Sequence, residues 1–308
     1  MPQAEDLAPV VEEIADRVRR RLQAARAGRE EPCTPSAAAS PPSADREPTP
    51  SPDCTPTCNV CPIIDSCATV MGVRTGASRI APDVIRTSAD IAPYIDHTLL
   101  KPEATREEIL KLAEEARRYG FATVCVNSVH VGTVARILAG STTIPIAVVG
   151  FPSGAALPSA KAFEAREAIR CGAREIDMVI NIGALKGKDY ALVLKDICSV
   201  VAAAKPYPMK VILETSKLTE QEKIIGCALA KAACAAFVKT STGFGGGGAT
   251  AEDVALMRSV VGEDMGVKAS GGIRTSEDAM RMIRAGANRI GASASVAIVT
   301  GPTATASC

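Results

Sequence analysis

From residue 91 onward the chain carries eight short apolar runs separated by segments of helical periodicity. The runs are Tyr94–Thr98, Thr123–Asn127, Ile144–Gly150, Glu175–Ile180, Lys210–Glu214, Phe237–Thr240, Gly266–Ala269 and Arg289–Gly291. Between them, helices are predicted at Arg106–Tyr119, Ser159–Cys171, Tyr190–Ala204, Glu220–Ala233, Ala251–Val261 and Ser276–Ala285. The runs are continuously apolar where half-buried strands would alternate, which is the pattern of parallel strands covered on both faces. Eight such units predict an α/β protein of the (β/α)8 TIM-barrel class. A doubly wound sheet is the alternative, but no Gly-x-Gly-x-x-Gly follows the first run.

Composition narrows the function classes. The 308 residues fit one large or two medium domains, and 47% hydrophobic content is ample for a core. No uncharged apolar stretch approaches the ~18 residues of a membrane span. Lys and Arg total 35 against 34 Asp and Glu, so the basic excess of a nucleic-acid binder is missing. Aromatic residues are 3% with no Trp, too few for a single-strand stacking platform. The N-terminus has no signal-peptide pattern, so a cytoplasmic location is expected. The 11 cysteines are then thiols or metal ligands, not a disulfide framework.

The first 90 residues differ in kind: they hold 10 Arg and no Lys. Residues 1–28 are predicted to contain an amphipathic helix, with Leu7, Val10, Val11, Ile14, Val18 and Leu22 on one stripe. Acids precede arginines along it, which suits the helix dipole. A lone helix of this length is marginal in water and needs a partner. Either it packs on its own barrel, or it is a docking peptide on a tether. Residues 29–53 read as a Pro/Ser-rich linker; 9 Pro fall within positions 32–62. Residues 54–90 carry Cys54, Cys58, Cys61 and Cys67. Four clustered thiols can hold Zn or an iron–sulfur cluster, although the spacing matches neither pattern closely; the other reading is inert or redox-labile thiols. The remaining divisions are the barrel, 91–300, and a tail, 301–308.

Barrel enzymes keep their chemistry at the C-terminal strand ends. The polar residues there are Asp96 and His97, Asn127, Asp177 and Asn181, Glu214 and Thr215, Lys239 to Thr242, Lys268 and Ser270, and Ser293. Lys239 and Lys268 each sit in a run that otherwise wants to be buried. One buried lysine is usually a structural ion pair; two on neighbouring strands are harder to dismiss. A cation beside a second amine lowers its pKa and leaves a neutral nucleophile near pH 7, as Schiff-base chemistry needs. Asp177, on a third strand, is placed to relay a proton or to pair with Lys268. Gly243, Gly271, Gly272, Gly291 and Ser293 close strands six to eight, where backbone N–H groups can approach a phosphate.

These blocks, taken in order, closely resemble the class I deoxyribose-phosphate aldolase family over about residues 91–300. The matches include Ile-Asp96-His-Thr-Leu-Leu-Lys-Pro, Val-Cys125-Val-Asn, Glu-Ile-Asp177-Met-Val-Ile-Asn, Phe-Val-Lys239-Thr-Ser-Thr-Gly-Phe, Val-Lys268-Ala-Ser-Gly-Gly-Ile-Arg and Arg-Ile-Gly291-Ala-Ser. The resemblance implies reversible cleavage of 2-deoxy-D-ribose 5-phosphate to D-glyceraldehyde 3-phosphate and acetaldehyde, with no cofactor for catalysis. It implies Lys239 as Schiff-base lysine, Lys268 as its tuning partner and Asp177 as proton relay. Asp96, Cys125, Thr240, Gly243, Gly271, Gly272, Gly291 and Ser293 are the implied substrate contacts. A homo-oligomer, a dimer, is expected. The helix and Pro-rich linker resemble the encapsulation peptides of bacterial microcompartment cargo, which implies a shell-protein partner. Three departures stand out. Ala294 replaces a second Ser of some members, Phe244 replaces a Lys, and the tail ending in Cys308 lacks a C-terminal Tyr that assists proton transfer in some of them.

Overall fold

The computed structural model describes residues 82–301, together with Ile80 and six helical positions near the N-terminus (12, 13, 15, 16, 19 and 20). The cysteine segment that carries Cys54, Cys58, Cys61 and Cys67, the linker, and the tail after Gly301 lie outside the described residues.

Eight strands form a closed, all-parallel barrel in chain order: β1 Ile95–Leu99, β2 Thr123–Val126, β3 Ile144–Val149, β4 Glu175–Val179, β5 Met209–Ile212, β6 Phe237–Lys239, β7 Gly266–Ser270 and β8 Arg289–Ala292. The β8–β1 pairing, with Asp96 opposite Gly291, closes the ring and rules out the open doubly wound sheet. Among the described residues after position 82, nine α-helices surround it: α1 Arg106–Tyr119, α2 Val131–Ile137, α3 Pro158–Arg170, α4 Ile182–Lys186, α5 Tyr190–Ala204, α6 Glu220–Ala232, α7 Ala251–Val261, α8 Ser276–Arg284 and α9 Ser295–Thr300. Every strand and helix predicted from residue 91 onward is present, to within a residue or two at the ends. The helices α2, α4 and α9 are additional. They are short, and α2 contains Gly132 and several β-branched residues, which carry weak helical propensity.

Local chemistry starts the helices. Thr105 and Glu108 form a capping box on α1, Thr219 and Glu222 on α6, and Thr275 and Asp278 on α8. The buried face of α1 is Ile109, Leu112, Ala113 and Ala116, one stripe at helical spacing against the strands. The main apolar core is thus the layer between the strands and the helix ring.

The packed unit begins before residue 91. Short 3-10 turns at Pro82–Val84 and Ser88–Tyr94 lead into β1, and the Ser88 hydroxyl donates to the Gly301 carbonyl at 3.0 Å. Ile91 and Ala92 are buried there. The second of these turns runs across position 91.

Of the six described N-terminal positions, Glu12 and Arg19 reach residues at the starts of α5 and α6. Ala15 is 3% exposed. The Glu12 carboxylate meets Lys188 Nζ at 2.7 Å and accepts from the Tyr190 hydroxyl at 3.3 Å. Arg19 reaches Gln221 at 3.5 Å. Burial and the Glu12 charge push the Tyr190 phenol up to about 12.

Candidate active site

The barrel interior is charged where such barrels are usually filled by branched aliphatics. Side chains two apart on one strand share a face, so Glu175 and Asp177 both point inward from β4. Lys210 enters from β5, Lys239 from β6, Lys268 from β7, Arg289 from β8 and Asp96 from β1. All seven are at most 6% exposed.

Asp177 sits at the centre. Its Oδ2 accepts from Lys239 Nζ at 3.0 Å and from Lys268 Nζ at 2.8 Å. Its Oδ1 lies 3.1 Å from Lys210 Nζ. Asp96 pairs with Lys268 at 2.5 Å and with Arg289 at 2.8 Å, and takes the Thr123 hydroxyl at 2.7 Å. Lys210 also pairs closely with Glu175, which lies 3.4 Å from Arg289.

The electrostatics differ between the two lysines. Burial lowers the pKa of Lys239, and the neighbouring Lys268 charge lowers it further, outweighing Asp177. Burial also disfavours the Lys268 ammonium, but Asp177 and Asp96 overcome it and raise its pKa. Burial would raise both carboxyls; the surrounding cations instead hold Asp177 well below its usual range, with Lys210 the largest, and hold Asp96 low, with Lys268 the largest. One lysine is thus poised to be a neutral amine beside a lysine fixed as a cation.

Lys239 opens onto a cavity of about 280 Å³. Ser270, Gly271, Gly272, Gly291, Ser293, Ala294 and Arg274 also line it. Gly271 and Gly272 hold φ of +91° and +80°, a turn that L side chains resist, so their backbone lines the cavity bare. Gly243 lines the same space. A larger cavity of about 590 Å³ adjoins through Thr98, Leu100, Gly243 and Ser293 and extends past Phe244 toward α1.

Not every expected residue reaches the cavity. Thr240 does not line it: its hydroxyl donates to the Ser270 carbonyl and accepts from the Ser270 N–H, both at 3.0 Å, tying β6 to β7. Cys125 is fully buried with Leu100, Ile146 and Val148, and burial raises its thiol pKa. Asp96 lies in the ion-pair layer and contributes nothing to the cavity wall. Of the other polar strand-end residues, His97 turns to Glu115 of α1 at 3.0 Å, and Asn181 caps α4. Glu214 accepts from the Thr242 N–H and hydroxyl.

Glu175, Lys210 and Arg289 are the charged residues that reading the strand ends missed. They sit nearer the strand starts, so attention to C-terminal ends passed over them. The signal was available: Lys210 and Arg289, like Lys239 and Lys268, are cations inside apolar runs. Among the described residues no group of three or more His, Cys, Asp or Glu is placed to hold a metal ion. No helix among them is long and apolar enough to cross a membrane.

Comparison with known proteins gives the family. The family model described as DeoC/LacD family aldolase matches residues 91–301. A deoxyribose-phosphate aldolase of Listeria welshimeri is 60% identical over 212 residues, covering 68% of this chain and 95% of its own. That of Halalkalibacterium halodurans is 60% identical over 216 residues, covering 70% and 96%. The tetrameric deoxyribose phosphate aldolase of Aeropyrum pernix superposes with a TM-score of 0.67 at 31% identity, over 75% of this chain and 95% of its own. The chain therefore belongs to the DeoC/LacD family of aldolases.

Proposed function

We propose that this chain is a class I aldolase that reversibly cleaves 2-deoxy-D-ribose 5-phosphate to D-glyceraldehyde 3-phosphate and acetaldehyde. The observation that carries the reading is the sharing of Asp177 Oδ2 by Lys239 and Lys268, with Lys239 facing a cavity walled by glycine backbone. The neutral Lys239 amine adds to the C1 aldehyde of the open-chain sugar. Loss of water gives a protonated imine, an electron sink for C2. Removal of the C3 hydroxyl proton breaks the C2–C3 bond and releases glyceraldehyde 3-phosphate. The resulting enamine takes a proton at C2, and hydrolysis frees acetaldehyde and Lys239. Asp177 is the carboxylate within reach for relaying these protons through water. Lys268, kept as an ammonium, favours the neutral Lys239. The bare N–H groups of the Gly271–Gly272 turn, with Gly243, Gly291 and Ser293, suit the 5-phosphate. Catalysis on this reading uses no cofactor.

Borohydride reduction in the presence of deoxyribose 5-phosphate, followed by peptide mass spectrometry, tests the proposal. An adduct on Lys239 that is lost in Lys239→Leu supports it. A folded chain with no adduct overturns it.

Finer points belong to the same proposal. A homo-oligomer in the cytoplasm is expected, and sedimentation checks it. For residues 1–28, the contacts of Glu12, Ala15 and Arg19 favour packing on the barrel. The alternative, shell docking inside a microcompartment, is motivated by the volatility of acetaldehyde. Co-expression with shell proteins tests it; equal retention with and without residues 1–28 rules it out. Zn or an iron–sulfur cluster on Cys54, Cys58, Cys61 and Cys67 is tested by metal analysis of the whole chain against its four-Ser variant.

A further inference from the structure

Seven ionisable side chains are buried inside the barrel: three carboxylates and four cations. Counted at formal charge, Asp96, Glu175 and Asp177 are balanced by Lys210, Lys268 and Arg289. Lys239 is the surplus. An unbalanced charge in a buried site is costly, so the layer as a whole favours release of one proton. The fixed partners decide which group gives it up. Lys268 is held by two carboxylates, Asp177 and Asp96. Arg289 is held by Asp96 and Glu175. Lys210 contacts Glu175, lies 3.1 Å from Asp177 Oδ1, and is 4.0 Å from Asp96. Lys239 has a single carboxylate oxygen, and shares it with Lys268.

We propose that Glu175, Lys210 and Arg289 form a charge-balancing layer beneath Lys239 that sets its proton affinity without touching substrate. None of the three lines the cavity onto which Lys239 opens. They act through Asp177: Lys210 takes up its Oδ1, which limits the negative charge left for Lys239 on Oδ2. The Phe237 ring packs under both cations, 5.4 Å from Lys210 Nζ and 5.4 Å from the Arg289 guanidinium carbon, and holds the layer in place. The three are positioning residues.

The other groups around Lys239 do not upset this count. β2 presents Thr123 and Cys125, and the Cys125 thiol is pushed toward its neutral form by burial. β3 presents the uncharged Ile146 and Val148. Glu214, beyond β5, gives its carboxylate to Thr242 and forms no ion pair with any of the seven. The neutral count therefore belongs to the layer itself.

The inference rests on Lys239 as the reacting amine, and its test is independent of turnover. Competitive reductive methylation with formaldehyde and cyanoborohydride, read on the Lys239 peptide across pH, gives the midpoint at which that amine loses its proton. The wild type is compared with Glu175→Gln, Lys210→Met and the double variant. Removing the Glu175 charge leaves an excess cation, so the midpoint falls. Removing the Lys210 charge leaves an excess carboxylate, so the midpoint rises. A displacement of about one pH unit in each direction is expected. The double variant restores the count and returns the midpoint toward the wild-type value, which a merely structural role would not do. The acid limb of kcat/KM should move the same way in each variant, with KM little changed.

Shifts in one common direction, or none, in folded variants overturn the proposal. If Lys210→Met does not fold, the near-isosteric Glu175→Gln decides alone: a lower midpoint supports the layer, an unchanged or higher one overturns it. A chain whose Lys239 titrates as expected yet forms no imine with deoxyribose 5-phosphate leaves the layer standing and defeats the proposed function instead.

Discussion

Gly291 leaves the space that Lys268 fills. A Cβ at position 291 would stand 2.9 Å from Lys268 Cε and 2.9 Å from Ser270 Cβ, closer than real side chains pack. β8 thus sets the path of a lysine that enters from β7. The Lys268 ammonium then reaches both Asp96 and Asp177. Gly291→Ala should displace Lys268 while leaving the outer apolar core intact. A fall in kcat of at least tenfold is expected, with unchanged far-ultraviolet circular dichroism. Full activity in the variant would show that the tight approach is not needed.

The pH dependence follows from opposite shifts in neighbouring groups. Lys239 has its pKa lowered, first by burial and then by Lys268, and only its neutral form adds to an aldehyde. The rate of imine formation should therefore rise with pH through a midpoint below the ordinary lysine value, and fall as acid protonates the amine. Asp177 is depressed well below its usual range, so it stays ionised throughout that window and cannot be the source of the acid limb. Stability behaves differently. The depressed carboxyls of Asp96 and Asp177 contribute stability above the unfolded value of about 3.9, and that contribution is lost as pH falls through their folded values. The raised Lys268 contributes below about 10.4, and loses that contribution only as pH rises through its folded value. Activity should fail in mild acid while the fold persists. Stopped-flow imine formation and thermal melts over the same pH range check this; coincident losses would contradict it.

The barrel could be read from the chain because its signal is local and repeated. β-strands such as Ile144–Val149 are continuous apolar runs, and Thr105–Glu108 and Thr219–Glu222 mark helix starts in the sequence itself. Lys239 and Lys268 were conspicuous as charges in apolar runs. The linkage of Glu175, Lys210 and Arg289 was not, because it depends on which strands become neighbours and on the stagger between them. Arg289 meets Asp96 only because β8 closes on β1, 193 residues away in sequence. The bonds that Thr240 makes were hidden for a similar reason. A hydroxyl at a strand end looks available until the adjacent strand's N–H and C=O take both its bonds.

Phe244 puts an uncharged ring beside the loops proposed to hold the phosphate. It is half exposed, stacks edge-on against Phe151 at 5.4 Å, and borders the larger cavity beside Gly243 and Ser293. Phe244→Lys would place an ammonium near those loops. KM for deoxyribose 5-phosphate should fall several-fold, with unphosphorylated deoxyribose little affected, and the gain should shrink as salt screens it. Equal effects on both sugars would place the phosphate elsewhere.

Lys161 and Asp196 form an ion pair that the chemistry does not use. Both side chains are fully buried, joined at 2.5 Å, and Lys161 also donates to the Val179 carbonyl at the end of β4 at 2.9 Å. Burial lowers the lysine pKa and raises that of the aspartate, so each charge is held at a cost. Asp196 binds its proton more tightly when folded, so its ionisation disfavours the fold increasingly as pH rises from about 3.9 to its folded value. Breaking the pair from one side leaves a stranded charge. Lys161→Met should lower stability by about 3–5 kcal/mol, and the double change Lys161→Met with Asp196→Leu should recover most of it. Urea melts of the three proteins measure the difference. Recovery in the double variant without recovery of kcat would mean that the Val179 contact, two residues beyond Asp177, positions the end of β4 for catalysis. Recovery of both would leave the pair with a purely packing role.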